Sequence, residues 1–376
     1  MGKKRGSGEG SINQMPDGRW QGKIRLGPGI RRTVYGKTKQ EVVDKLRVMP
    51  REAVALTNIT VDDWLDRWLM IKKDTVQPST WRRLEQVVRL LIKPTLGEES
   101  LTSLSAMSAQ QWQGQLQEKG VSASERNRSL VVFGQSLNDA VKLDILSRNV
   151  CKAIRKPKVT RSEMCCLDRN QAIQLLKAAG GSRQEAFFDL ALDTGMRPGE
   201  LFALHWSEVD LETFSVFVKQ SLEEIAGKVR LKEPKTSKGR RRILLGMRTV
   251  TSLRRHRERM CGEGQDVDRG VVFCTIKGGF FRQSNFRNRI WLPLLIEAGL
   301  KPMRVYDLRH SSATLLLSQN VNIKVVSERL GHETIELTLK HYAHALPSMQ
   351  QRAALAVDAL FTLDGPKNGP HEGKPK

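Results

Sequence analysis

Apolar residues recur at helical or strand spacing along most of this chain, but between Asp144 and Asp168 the periodicity lapses and the residues turn basic (RKPKVTR). Held inside one compact body, that stretch would be a structureless connection of roughly 20 residues, which is uncommon. It therefore reads as a linker between lobes. The 376 residues suffice for two or three domains that each bury a core. Breaks in the pattern place domains at 1–55, 58–150 and 163–362, followed by a tail, 363–376, rich in Gly, Pro and Lys and expected to be disordered.

Through residue 51 the first segment holds thirteen Lys or Arg against four Asp or Glu. Short β-like runs at SINQM, RWQGKIRL and RRTVY are separated by the turn signals PDG and GPG, and a helical stretch begins near Thr38. The expectation is a small three-stranded sheet with one helix, carrying Arg19, Lys23, Arg25, Arg31 and Arg32 on or near its strands. The alternative is a flexible basic tail. In the second segment TVDD is a capping box at Thr60, ahead of Trp64, Leu65, Trp68 and Leu69 at helical spacing. Further helices are expected over 79–93, stopped by Pro94; over 108–119, opened by SAQQ; and over 122–143, opened by SASE. The tryptophans follow the helical period, which marks them as core and not as base-stacking platforms. The third segment is mixed. Helices near 169–179, 183–193, 247–260, 283–298, 307–318, 323–330 and 334–343 accompany strand-like runs at FSVFVKQ, KVRLKE and RRRILL. The fold class is thus multidomain, mainly α with α+β parts: a small β-plus-helix domain, a helical domain and a mixed α/β domain.

The net charge of +23 calls for a polyanionic partner. Nucleic acid is the first candidate, since each neutralised phosphate releases condensed counterions; an anionic membrane surface is the second, disfavoured because the basic residues are spread over three lobes. No run of about 18 apolar residues exists and no apolar stretch follows the basic N-terminus, so neither a membrane span nor a secretory signal is expected, and the chain is expected in the cytoplasm. Five cysteines, an odd number without a CxxC spacing, suit a reducing compartment and read as packing residues.

Three stretches of the third segment set functional groups at loops or helix ends: TGMRPGELFALHW, EPKTSKGRRRI, and the run from YDLRHSSAT through LGH to LKHYAHA. Arg197 lies beside Pro198 at a helix start, Lys235 between two strand-like runs, Arg309 in the opening of a helix, and Tyr342 at the end of one. Taken singly, each has an ordinary explanation as an ion-pair partner, a hairpin lysine or a packed aromatic. Together and in this order they resemble the tyrosine recombinase (phage integrase) family, whose catalytic lobe carries an arginine in a TGxRxxE setting, a lysine on a β-hairpin, an HxxR box, an LGH box and a tyrosine about ten residues later. The matches are Arg197 with Glu200 behind it, Lys235, Arg309, His332 and Tyr342. Tyr306 departs from the pattern, standing where the HxxR box places a histidine. The resemblance covers about residues 165–345; the helical segment is similar to the family's SAM-like core-binding domain, and the basic first segment to the arm-binding domains of phage and conjugative-element integrases.

What the resemblance implies agrees with the residue types. Two guanidiniums can clamp the non-bridging oxygens of a phosphodiester with fixed fork geometry, the role expected for Arg197 and Arg309. Tyr342 as nucleophile stores the bond energy in a 3′-phosphotyrosyl linkage, so rejoining needs no ATP, and no GxxxxGK[ST] loop is present. Lys235 is expected as general acid to the leaving 5′ oxygen, His332 as a hydrogen-bond donor to the phosphate or as a group that helps manage the tyrosine's proton, Tyr306 as a donor to the phosphate or an aromatic that only fills the site, and Glu200 as an orienting carboxylate. Arg155, Lys156 and Lys158 in the linker are expected to meet DNA. The implied activity is integration and excision of a mobile element, with no cofactor and no metal. Implied partners are duplex DNA at core and arm sites, a homotetramer on DNA, an excisionase or directionality factor, and a DNA-bending host protein. Competing readings are a resolvase of chromosome or plasmid dimers, a DNA-binding relative without catalysis, and a metal-dependent nuclease built on His332, His341 and His344. For the helix SMQQRAALAVDALF, packing on its own lobe and docking on a neighbouring protomer both remain open.

Overall fold

The computed structural model describes residues 11–27, 30–46, 59–159, 165–225, 227–233 and 239–342, with Ala354, Leu355, Val357, Asp358 and Phe361 beyond them. The chain forms two compact units, Met1–Arg161 and Ser162–Lys376.

In the first unit β1 (Ser11–Gln14), β2 (Trp20–Gly27) and β3 (Ile30–Gly36) pair antiparallel in that order. Helix α1 (39–46) sets Val42 and Leu46 against Ile24, with Ile12, Trp20 and Val34 around them. The small residue Gly22 permits this close approach: a Cβ there would stand 2.5 Å from Val42 Cγ1 and 2.8 Å from Leu46 Cδ1. Lys23 and Arg19 are exposed, Arg19 in an ion pair with Asp17 at 2.7 Å. The side chains of Arg25, Arg31 and Arg32 lie outside the described residues.

A separate apolar core joins α2 (Val61–Thr75), α3 (Pro78–Val87), α4 (Lys93–Leu96), α5 (Ala106–Glu118) and α6 (Ala123–Lys142). Thr60 caps α2 in a reciprocal box with Asp63, as its TVDD pattern requires. Trp64, Trp68 and Trp112 are fully buried, the core role their spacing indicates. Pro94 does not stop the helix. A π-turn over Val88–Ile92 carries the chain into α4, with Pro94 in the first turn of that segment, where a missing N–H costs little; the Leu91 carbonyl accepts from Trp112 Nε1 at 2.6 Å. Helix α5 opens at Ser105 and not at Ser108, because the two serines form the reciprocal cap with Ser108 as its inner member. Arg155, Lys156 and Lys158 are exposed near the end of this unit.

In the second unit α7 (Arg169–Ala179), α8 (Glu185–Thr194), α10 (Met247–Gly262) and the run from α11 (Gln283–Phe286) to α12 (Leu292–Glu297) surround an aromatic core. Phe187 lies at its centre, with its ring 4.6 Å from Phe286 and 5.3 Å from Phe202. Helix α9 (Pro198–Ala203) follows α8 directly. Strands β4 (Val209–Asp210), β5 (Ser215–Val218) and β8 (Arg241–Leu244) form one sheet. Strands β6 (Ser221–Ile225) and β7 (Lys228–Lys232) form a second. The runs KVRLKE and RRRILL are therefore strands of different sheets, and the hairpin expected of them is instead made by KVRLK with SLEEI, a strand missing from the sequence reading. Lys235, between β7 and β8, lies outside the described residues. Helices α13 (Asp307–Ser318), α14 (Ile323–Leu330) and α15 (Ile335–Tyr342) complete the unit.

Cys151 and Cys274 are buried as packing residues should be, and burial pushes the Cys151 thiol up to about 12. Cys165 and Cys261 are exposed, so the packing reading does not extend to them. Leu355, Val357 and Phe361 of the C-terminal run are also exposed. Among the described residues no helix is long and apolar enough to cross a membrane.

Candidate active site

The site begins where α8 ends. Gly195 closes that helix in the left-handed region (φ 62°), and a Cβ there would come within 2.5 Å of Leu330 and 3.2 Å of Ser312 Oγ, so the turn seats directly on α13 and α14. Two residues on, Arg197 caps α9 with Pro198 in the first turn. Glu200 folds back beneath it: Oε2 accepts from the Arg197 backbone N–H at 2.9 Å and Oε1 from Arg197 Nη1 at 2.8 Å. From β8, Arg241 Nη2 donates to Glu200 Oε2 at 2.8 Å, while its Nε donates to the Arg329 carbonyl at 2.7 Å. Glu200 is 4% exposed. Burial pulls its carboxyl upward, but Arg241 and Arg197 outweigh that and hold it below the usual carboxylate range.

Arg309, on the first turn of α13, is 1% exposed. Its Nη1 donates to the Gly195 carbonyl at 2.9 Å, which ties α13 to the loop bearing Arg197, and among the described residues its Nη2 has no partner. Burial first, and Arg197 second, pull its pKa down to about 10, which still leaves a cation at neutral pH. A buried guanidinium with one open donor is a group made for an incoming anion.

Tyr342 closes α15, 1% exposed. His310 Nδ1 lies 2.7 Å from its hydroxyl, and the Tyr306 ring meets the His310 ring edge-on at 5.3 Å. Burial pushes the Tyr342 phenol well above its ordinary pKa, more than the Arg309 charge lowers it. His332 follows Gly331, the left-handed end of α14, and its Nδ1 is 2.7 Å from the Thr338 hydroxyl, which orients the ring. Arg197, Glu200 and His332 line one cleft of about 420 Å³. Arg197 and Tyr306 line a neighbouring one of about 350 Å³. Arg197, Glu200, Tyr306, Arg309, His332 and Tyr342 are thus gathered around one loop. His344 and the side chain of His341 lie outside the described residues.

Two site residues escaped the sequence reading. Arg241 carried a signal in RRRIL, because alternation on a strand puts residue 241 on the inward side with Ile243. His310 stands one turn after Tyr306 and directly follows Arg309 in YDLRH.

The phage integrase family profile matches residues 166–349, and that of the phage integrase N-terminal SAM-like domain matches residues 60–117. The chain belongs to the phage integrase family of tyrosine recombinases. It is 28% identical over 371 residues to a tyrosine recombinase XerC-like protein of Caldanaerobacter subterraneus subsp. tengcongensis, spanning 90% of this chain and 94% of the relative. It is 22% identical to the ICEBs1 integrase of Bacillus subtilis, spanning 93% of this chain and all of the relative. The fold is similar to that of the Tn1549 transposon integrase solved with a circular intermediate DNA, at a TM-score of 0.69 and 20% identity over 80% of this chain and all of the other. Within this tyrosine recombinase family, the departure at Tyr306 stands beside a histidine, His310, that reaches the tyrosine expected to act as nucleophile.

Proposed function

We propose that this tyrosine recombinase is a site-specific integrase that inserts and excises a mobile element, cutting and rejoining DNA through Tyr342. The observation that carries this reading is the buried Tyr342 hydroxyl in one cluster with Arg309, whose Nη2 is open, and Arg197. The scissile phosphate binds between Arg197 and Arg309, whose charges offset the repulsion an attacking oxyanion meets. Tyr342 Oη forms a bond to phosphorus as the bond to the 5′ oxygen breaks, leaving a 3′-phosphotyrosyl linkage and a free 5′-hydroxyl. Attack by the 5′-hydroxyl of a partner strand reverses the step and regenerates the tyrosine. Lys235 protonates the leaving oxygen, His332 and Tyr306 hydrogen-bond the phosphate, and Glu200 fixes Arg197 and Arg241.

The sheet at 11–46 serves arm sites, the bundle at 59–154 core sites, and Arg155, Lys156 and Lys158 meet DNA backbone where the two units join in sequence. The relative named for ICEBs1 supports a mobile-element role over dimer resolution. Recombination between two duplexes cleaves four strands and needs four active sites, which calls for a tetramer on DNA in the host cytoplasm. The exposed Leu355, Val357 and Phe361 favour docking of the C-terminal run on a neighbouring protomer. Directionality falls to an excisionase, assisted by a DNA-bending host protein. The test is a nicked suicide substrate: wild type should accumulate covalent adduct, and a chain that binds the core site without ever forming adduct would be a DNA-binding relative without catalysis.

A further inference from the structure

We propose that His310 is the proton acceptor for the Tyr342 nucleophile, a role that rests on the reading of Tyr342 given above. Attack requires the phenol to lose its proton, and the surroundings of Tyr342 do not ionise it unaided: the side chain is almost wholly enclosed and its burial favours the neutral form. A base must therefore be within hydrogen-bond reach of the oxygen. His310 Nδ1 is at 2.7 Å. In the tautomer that keeps its hydrogen on Nε2, the neutral imidazole accepts from the Tyr342 hydroxyl along that contact.

The placement has a simple origin in the helix. Residues 306 and 310 are four apart at the start of α13, hence neighbours on one face, and their rings are in edge contact at 5.3 Å. Position 306 carries a phenol and not the imidazole of the family's HxxR box. One turn further along the same face an imidazole is present, and it points at the oxygen that has to be deprotonated. Arg309, between them in sequence, is tied to the Gly195 carbonyl, which fixes the turn from which His310 projects.

The step balances within the site. The proton passes from Tyr342 Oη to His310 Nδ1 while the bond from Oη to phosphorus forms and the bond from phosphorus to the 5′ oxygen breaks, the departing oxygen taking a proton from Lys235. On rejoining, the 5′-hydroxyl gives its proton back toward Lys235, Tyr342 leaves, and His310 returns the proton to it.

The test uses the full-length chain, a suicide substrate and single-turnover adduct formation. His310→Gln keeps a side chain able to hydrogen-bond but unable to take up a proton at neutral pH. It should bind core-site DNA and melt as wild type does, yet form adduct about 10²- to 10⁴-fold more slowly. Difluorotyrosine, introduced at position 342 by codon suppression, is a far more acidic phenol and should recover at least about tenfold of the His310→Gln loss, since it needs less help to ionise. Adduct formation by His310→Gln at the wild-type rate would overturn the assignment, as would a loss of equal size with both phenols. If Tyr342→Phe still becomes attached to DNA, the nucleophile itself is wrong; if Tyr342→Phe is dead and His310→Gln is fully active, only the role of His310 fails.

Discussion

Glu200 is the residue on which the arginines of the site are built. Its carboxylate accepts from Arg197 on one side and from Arg241, itself 8% exposed, on the other. Removing Arg241 leaves a buried charge without its main partner, so Arg241→Ala should destabilise the second unit by about 3–5 kcal/mol, read by thermal or denaturant unfolding. The pH dependence has a definite sign. Because Glu200 is held below its ordinary value of 4.5, its contribution is complete above that value and is lost as pH falls through the lower, folded one. Wild type should therefore lose stability on acidification below about pH 4.5, and Glu200→Gln should show a shallower loss in melts taken across that range. Tyr306 presents a different balance. It is 39% exposed and lines a cleft with Arg197, where the proposed function puts the scissile phosphate. As a donor to that phosphate, its loss in Tyr306→Phe should slow single-turnover cleavage by roughly 10² to 10³, with DNA binding retained. A Phe variant as fast as wild type would leave Tyr306 as packing against His310.

At the scale of elements, the site depends on two helix ends that need a left-handed residue. Gly331 (φ 66°) ends α14 and sends the chain to His332, and a Cβ on it would lie 2.9–3.1 Å from the Arg241 guanidinium. Gly331→Ala should cost about 1–3 kcal/mol in backbone strain alone and should also displace Arg241 and His332, so cleavage should fall by more than stability does. Equal cleavage rates for Gly331→Ala and wild type would show that this turn does not set the site. Two helix starts were legible because caps are written in local chemistry: Thr60 with Asp63 and Ser122 with Glu125 occur where the pattern puts them, whereas α5 opens at Ser105, three residues before the expected Ser108. What was not legible depended on distant partners. Pro94 signals a stop in any local reading, and only the π-turn, with Trp112 taking up a carbonyl, lets the helix continue. Strand SLEEI has two adjacent glutamates where alternation would place an apolar residue. Only Leu222 of it is buried, and Glu223 is instead paired with Arg230 and Lys232 across the hairpin.

For the whole molecule, the convergence of Arg197, Arg309, His332 and Tyr342 was anticipated from the resemblance of their motifs to those of the tyrosine recombinase family; order along the sequence does not by itself bring loops and helix ends together. The contact of His310 with Tyr342 was beyond reach, since it joins residues 32 apart across two helices. The net charge of +23 predicts steeply salt-dependent DNA binding, with the basic N-terminal sheet supplying a separable share. The sheet has its own small core, distinct from that of the helical bundle. Deleting residues 1–55 should abolish binding to arm sites and reduce the salt slope while cleavage of a core site persists; equal loss of both would show that the segment is not an independent arm-binding module. The chain has only three tyrosines, Tyr35, Tyr306 and Tyr342, so the most direct measurement is adduct formation by Tyr342→Phe on a nicked suicide substrate. The variant should bind core-site DNA as wild type does and yield no covalent complex; a Tyr342→Phe protein that still becomes attached to DNA would contradict the assignment of Tyr342 as the nucleophile.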